Sequence, residues 1–166
     1  MSHTAYIAIG TNLGDRQQNY RNALEKLNQL EGTRITRWSS LYESEPHGEA
    51  PTWFVNGVVE VSTEMESAEL LKALLSIEDA LGRKRTKGRK NVSRTIDLDI
   101  LLFDSEVVDS KTLRLPHPEM ASRRFVLLPL SELAPRLVHP VLGKTVTSLL
   151  VATEDTKKVR LFLAQR

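Results

Sequence analysis

Cysteine is absent from the 166 residues. That excludes a disulfide framework and a zinc–thiolate centre, and the chain needs no oxidising compartment. Long apolar runs are missing as well. No stretch approaches the ~18 uninterrupted apolar residues of a membrane span, and the opening "MSHTAYIAIGTNLGD" has no basic leader region, so the expected location is cytoplasmic. No G-x-x-x-x-G-K-[ST] occurs, which excludes a P-loop nucleotide site. With no internal repeat, low-complexity tract or linker, a single domain over residues 1–166 is expected.

Net charge is small, +2, but unevenly placed. Residues 82–99 read "GRKRTKGRKNVSRTIDLD": seven cations from Arg83 to Arg94 without one acid, then two aspartates spaced by a single residue. The rest of the chain is net acidic. The positive field is therefore local, and the composition does not indicate a protein-wide nucleic-acid or membrane surface.

The periodicities give an order of elements. "TAYIAIG" is short, rich in β-formers and ended by glycine, and reads as a buried strand; Leu24, Leu27 and Leu30 then recur at helical spacing before Gly32. "TRITRWSSLYES" alternates as one strand, and "FVNGVVEVST" has the same two-residue period. Between them lies the loop "EPHGEAPTW". "SAELLKALLSIEDALG" reads as a helix with Ser67 as N-cap, a stripe of Leu71, Leu74, Glu78 and Leu81, and Gly82 as the terminating glycine. "RTIDLDILLFD" follows as a strand. The order β-α-β-β-α-β predicts an α+β fold, a ferredoxin-like antiparallel sheet with helices packed on it. Beyond Ser105, "RRFVLLPLSELAP" reads as a helix, and "TVTSLLVAT" and "VRLFLA" as a last helix and an edge strand.

On a strand, side chains two apart share a face, so Asp97 and Asp99 project together at roughly 6 to 7 Å while Ile96, Leu98 and Ile100 turn the other way. Two readings stand. One is a solvated face neutralised by the basic loop. The other is a magnesium site, in which two carboxylates leave room for water and substrate phosphates. The basic run is equally open: a solvated loop, a nucleic-acid contact, or a phosphate clamp whose glycines Gly82 and Gly88 let it move.

The blocks "AYIAIGTNLGD", "SSLYESEPHG", "FVNGVVEV", "IEDALGRKR", "SRTIDLDILLFD" and "LPHPEMASRRFVLLPLSELAP" together resemble the 6-hydroxymethyl-7,8-dihydropterin pyrophosphokinase family, from about Ala5 to Pro140. The resemblance implies transfer of the β,γ-pyrophosphoryl group of ATP to the pterin hydroxymethyl oxygen with release of AMP, on a monomer using two Mg²⁺ ions, without nucleic-acid or membrane partners. It implies Asp97 and Asp99 as metal ligands, Asp97 also beside the pterin, and Arg83 and Arg94 at the phosphates and the transition-state charge. Arg85, Lys90, Ile100, His117 and Arg123 fall on the ATP side. Phe54 and Phe125 would sandwich the pterin ring, with Asn56 reading its edge beside Ser44, Pro46 and His47. Glu78 matches an acidic position read here as structural support, a partly buried carboxylate paired to an arginine.

Members often carry Arg-Trp-Gly-Pro-Arg before the aspartates, where this chain has Lys90-Asn91-Val92-Ser93-Arg94, and Pro118 stands where some have tyrosine. Two rival readings accompany this one. An RNA-binding module shares the element order but requires an aromatic pattern on the central strands that is missing. A homologue that binds ligands without turnover is the other, and the altered stretch at Asn91 to Ser93 favours it.

Overall fold

The computed structural model describes residues 1–46, 52–82 and 95–162. Strand β1 (His3–Thr11) leads to helix α1 (Arg16–Asn28), strands β2 (Thr33–Trp38), β3 (Tyr42–Ser44) and β4 (Phe54–Thr63), helix α2 (Ser67–Ala80) and strand β5 (Asp97–Phe103). A small hairpin, β6 (Val108–Asp109) and β7 (Arg114–Leu115), precedes a 3-10 turn at Met120–Ser122. Helices α3 (Arg124–Leu133) and α4 (Val146–Ala152) and strand β8 (Val159–Leu161) complete the order. The fold is mixed α and β, with four α-helices among the described residues and an antiparallel main sheet.

The ten-residue β4 is the centre of that sheet. It pairs with β1 on one side and with β2 and then β3 on the other; β5 lies outside β1, and β8 outside β3. The two-residue period sorts side chains between two cores. Ile7, Ile9, Val55, Val59 and Val61 pack with Leu27, Leu70, Leu74 and Ile77 of α1 and α2. Tyr6, Val58, Leu101 and Leu102 pack with Val126, Leu127, Leu130 and Leu149 of α3 and α4. Each fully buried aliphatic side chain contributes about 1.5 to 3 kcal/mol relative to exposure, which is what holds the helices on the sheet.

Several local readings change. "TRITRWSSLYES" is two strands: β2 carries a register shift between Ile35 and Arg37, and Ser39 takes the chain into β3, its hydroxyl accepting from the Val58 N–H at 2.9 Å. Alternation continues through both halves, so period alone does not reveal the break. Glycine does not end the first strand either, because β1 runs through Gly10, which pairs with Asn56 and Asp97. The N-cap of α2 is Glu66, whose backbone N–H donates to the Glu69 carboxylate, a capping box. Ser67 is the first helical residue and spends its hydroxyl on Glu106 at 2.9 Å. The buried stripe of α2 is Ser67, Leu70, Leu74, Ile77 and Glu78, with Leu71 and Leu81 at its margin. Gly82 follows the helix at φ +91, a left-handed conformation that suits glycine.

Candidate active site

One β-bulge organises the site. Ile7 faces Ile100 and Tyr6 faces Leu102, which leaves Leu101 as an extra residue on β5. Past the bulge, Leu101 and Leu102 both enter the α3 core, while Asp97 and Asp99 ahead of it keep strict alternation with the buried Ile96, Leu98 and Ile100. The Leu101 carbonyl accepts from the His117 N–H at 2.9 Å, so the bulge also fixes the "PHP" turn beside the aspartates.

A cavity opens on the α3 face where β1, β3, β4 and β5 converge. Its lining gathers eight residues expected from the sequence: Ser44, Phe54, Asn56, Asp97, Asp99, His117, Arg123 and Phe125. Asn56 and Ser44 are buried, and the Asn56 amide donates to the Ser44 hydroxyl at 2.5 Å. Gly10 makes the room for this pair, since a Cβ there would lie 3.1 Å from Asn56 Oδ1. Phe54 and Phe125 are half-buried, and the Arg123 guanidinium stands 5.5 Å from the Phe125 ring centre and pairs with Glu119. Leu101, Gly10 and Ala8 also line the cavity and were not expected. The bulge that turns Leu101 inward has no signal in the sequence, whereas a glycine inside an alternating strand is a recognised mark of close approach.

His117 Nδ1 accepts from the Glu119 N–H at 3.1 Å, leaving the other ring nitrogen to carry the proton. Burial first, and then the positive charge of Arg123, lower its pKa from the usual histidine value, against the opposing carboxylates of Glu119 and Asp97. The ring is thus a neutral donor near neutral pH. A second cavity lies on the far side of His117, lined by Leu71, Leu98, Asp99, Ile100, the Ser110–Arg114 hairpin, His117 and Pro118. Asp99 and His117 line both cavities and so mark their junction.

The donor set suits a hard cation that keeps part of its shell. Among the described residues no group of three or more His, Cys, Asp or Glu is brought together. Asp97 and Asp99 present two carboxylates on one strand face, a donor set that could hold Mg²⁺ with its remaining positions filled by water and substrate oxygens. Glu78 is 1% exposed, and its Oε2 accepts from the Leu98 N–H at 2.8 Å, tying α2 to the strand that carries the aspartates. Pro46 is half-buried outside the first cavity's lining. His47, Arg83, Arg85, Lys90 and Arg94, with the basic segment read as a movable phosphate clamp, lie outside the described residues.

Residues 6–135 match the family model "7,8-dihydro-6-hydroxymethylpterin-pyrophosphokinase (HPPK)". The chain belongs to this family. It is 43% identical over 134 residues to the 2-amino-4-hydroxy-6-hydroxymethyldihydropteridine pyrophosphokinase of Bacillus subtilis, covering 80% of this chain and 79% of the relative. The protein of that name in Haemophilus influenzae is 39% identical over 160 residues, 95% of this chain and 98% of the relative. The Folic acid synthesis protein fol1 of Schizosaccharomyces pombe is 43% identical over 140 residues, which cover 82% of this chain but only 18% of that longer protein. A Plasmodium falciparum HPPK-DHPS A437G structure with pteroate superposes with a TM-score of 0.73 at 16% identity, over 91% of this chain and 41% of that one, a likeness of fold. No helix among the described residues is long and apolar enough to cross a membrane.

Proposed function

We propose that this HPPK family member, a pyrophosphokinase of folate biosynthesis, transfers the β,γ-pyrophosphoryl group of ATP to the hydroxymethyl oxygen of 6-hydroxymethyl-7,8-dihydropterin and releases AMP. The observation that carries this is the pair of cavities meeting at Asp99 and His117. A transfer between two bound small molecules needs two pockets with one shared wall, and a charged group where the reacting oxygens meet.

The first cavity is the pterin half. Phe54 and Phe125 offer ring faces to a flat heterocycle, and the buried Asn56–Ser44 pair presents a donor and acceptor edge to its amide-like rim. The second cavity takes the nucleotide, with Ile100 and Leu71 as its apolar floor and the Ser110–Arg114 hairpin as its rim. His117, neutral and donating, faces the junction, and Arg123, expected on the ATP side, lines the first cavity instead and supplies positive charge beside His117. Asp97 and Asp99 would hold Mg²⁺, two ions in this reading, whose role is to neutralise the triphosphate and the oxygens that attack and leave. Arg83 and Arg94, with Arg85 and Lys90, complete the charge neutralisation from the basic segment. In this reading His47 and Pro46 contribute to pterin binding as well.

The sheet order around β4, with β1 central and β5 outermost, together with α1 and α2 on one face, supports a ferredoxin-like core within a single domain over residues 1–166, to which α3, α4 and β8 are additions. The reading further takes the enzyme as a cytoplasmic monomer with small-molecule partners.

The test is incubation with ATP, Mg²⁺ and the hydroxymethyl dihydropterin, followed by chromatography of nucleotides and pterins. AMP and a pterin diphosphate in equal amounts are expected. Formation of ADP would contradict the transfer, and nucleotide binding without turnover would make the chain a silent homologue.

A further inference from the structure

We propose that Arg16 is a positioning residue for the pterin half of the site, through a grip it takes on both strands that border the cavity; this rests on the pterin reading above. Arg16 is the first residue of α1, and neither the metal nor the substrate lining includes it. Its Nη1 donates to Glu43 Oε2 at 2.9 Å and to the Trp53 carbonyl at 2.8 Å. Glu43 immediately precedes Ser44, and Trp53 immediately precedes Phe54. Ser44 and Phe54 are cross-strand partners at the ends of β3 and β4, and both line the cavity. One guanidinium nitrogen therefore fixes the residue before each of two cavity residues.

The grip is built to be rigid. The Glu43 side chain is 16% exposed and that of Arg16 22%, so their charge-assisted bond is poorly screened by water. Arg160 of β8 closes the other side, with its Nε 3.5 Å from Glu43 Oε1 and its guanidinium 4.3 Å from the Trp53 ring centre. The Phe162 ring lies 5.3 Å from the Arg16 guanidinium. Fixing the Trp53 carbonyl fixes the peptide plane that enters Phe54, and so the direction in which its ring leaves the backbone. Holding Glu43 keeps β3 against β4, where the Ser44 hydroxyl accepts from Asn56. A small misplacement of a stacking ring or a reading amide costs affinity for that ligand alone.

The experiment uses Arg16→Met, which keeps the apolar stem without donors, and Arg16→Lys, which keeps the charge without the planar fork. Calorimetric titration with 6-hydroxymethylpterin and, separately, with a non-hydrolysable ATP analogue and Mg²⁺ gives the selectivity. Arg16→Met is expected to weaken pterin binding about tenfold or more and nucleotide binding less than about twofold, and Arg16→Lys to fall between it and the native protein. In a Trp38→Phe background, where Trp53 is the remaining tryptophan, acrylamide quenching of ligand-free protein should rise in Arg16→Met. Equal losses for both ligands, or unchanged quenching, would overturn the proposal. Quenching that rises with native pterin affinity would overturn it too, because the anchor would then serve no pterin role. If the native protein failed to bind hydroxymethylpterin at all, the site reading and the pterin role would both fall, while the quenching result alone would decide whether Arg16 anchors Trp53.

Discussion

Glu78 accepts a hydrogen bond from the backbone N–H of Leu98 at 2.8 Å, and Leu98 is the residue between the two cavity aspartates. Since β5 is an outer strand of the sheet, this carboxylate does for Leu98 what a neighbouring strand does elsewhere. Removing it strands a buried N–H, which costs about 1 to 3 kcal/mol. Glu78→Leu should accordingly lower the urea midpoint and raise the Mg²⁺ concentration needed for half-maximal turnover, because Asp97 and Asp99 lose the strap between them. Glu78→Gln keeps an acceptor and should cost less in both measurements. A Leu variant with native Mg²⁺ dependence would show that β5 holds its aspartates unaided.

Asp97→Ala and Asp99→Ala are each expected to reduce turnover by orders of magnitude while leaving the melting temperature close to native. Both side chains leave the face of β5 opposite Leu98 and Ile100, so neither substitution opens a cavity in the α1–α2 core. If they hold Mg²⁺ as proposed, each substitution removes a ligand of the cation that would offset the phosphate charge, where mutational effects are large. Near-normal activity at saturating Mg²⁺ in either variant would remove the metal assignment.

The aspartate face was legible from the sequence because strand period is a hard geometric rule: residues 97 and 99 must share a side, whatever the rest of the fold does. The places of the helices were legible for the same reason, although Leu30, read as helical, lies beyond the end of α1 at Asn28. What the period cannot express is an interruption that preserves it. β2 and β3 read as one strand, since Ser39–Leu41 leaves the alternation nearly unbroken, and the bulge at Leu101 sits in a run of apolar residues where a flipped face leaves no trace. Caps were misplaced by one residue at α2, where Ser67 and Glu66 are adjacent candidates; the capping box of Glu66 with Glu69 and the contact of Ser67 with Glu106 decide for Glu66. The Arg16 grip was invisible because its two acceptors lie 27 and 37 residues away, one of them a backbone carbonyl that any residue would supply. Family resemblance placed Ser44, Phe54, Asn56 and Phe125 in one site, a gathering that no local pattern in the sequence contains.

Phe54→Ala should weaken hydroxymethylpterin binding far more than nucleotide binding. Phe54 is half-buried at the mouth of β4 and lines the first cavity but not the second. Truncation removes one stacking face and its apolar burial, together on the order of 1 to 3 kcal/mol, or roughly fivefold to 150-fold in affinity. Equal losses for the two ligands in calorimetry would indicate a packing defect instead.

The last prediction concerns pH and lies away from the site. His3 opens β1 with Nδ1 2.6 Å from the Asp104 carboxylate and Nε2 3.4 Å from that of Glu66, and the other Asp104 oxygen accepts from the Thr4 N–H at 2.8 Å. The hydrogen bond that His3 donates to the Asp104 carboxylate is the foremost cause that raises the His3 pKa above the usual histidine value, with Glu66 adding to it against partial desolvation. The folded chain thus binds this proton more tightly than the unfolded one. The stabilisation is fully present below the unfolded value of about 6.5 and is lost as pH rises through the raised folded value. Replacing His3 by Gln removes the titration but leaves hydrogen-bonding capacity, so the urea midpoint of the native protein should exceed that of His3→Gln most at about pH 5.5 and converge with it by about pH 9. His117 and His139, whose pKa values are lowered by burial, act in the opposite direction, but they are common to both proteins and cancel in the difference. Because the pair is exposed, added salt should shrink the gap at low pH. A difference that instead widens as pH rises would mean that the neutral imidazole is the form the fold prefers, and that Asp104 holds the β1–β5 corner through Thr4 alone.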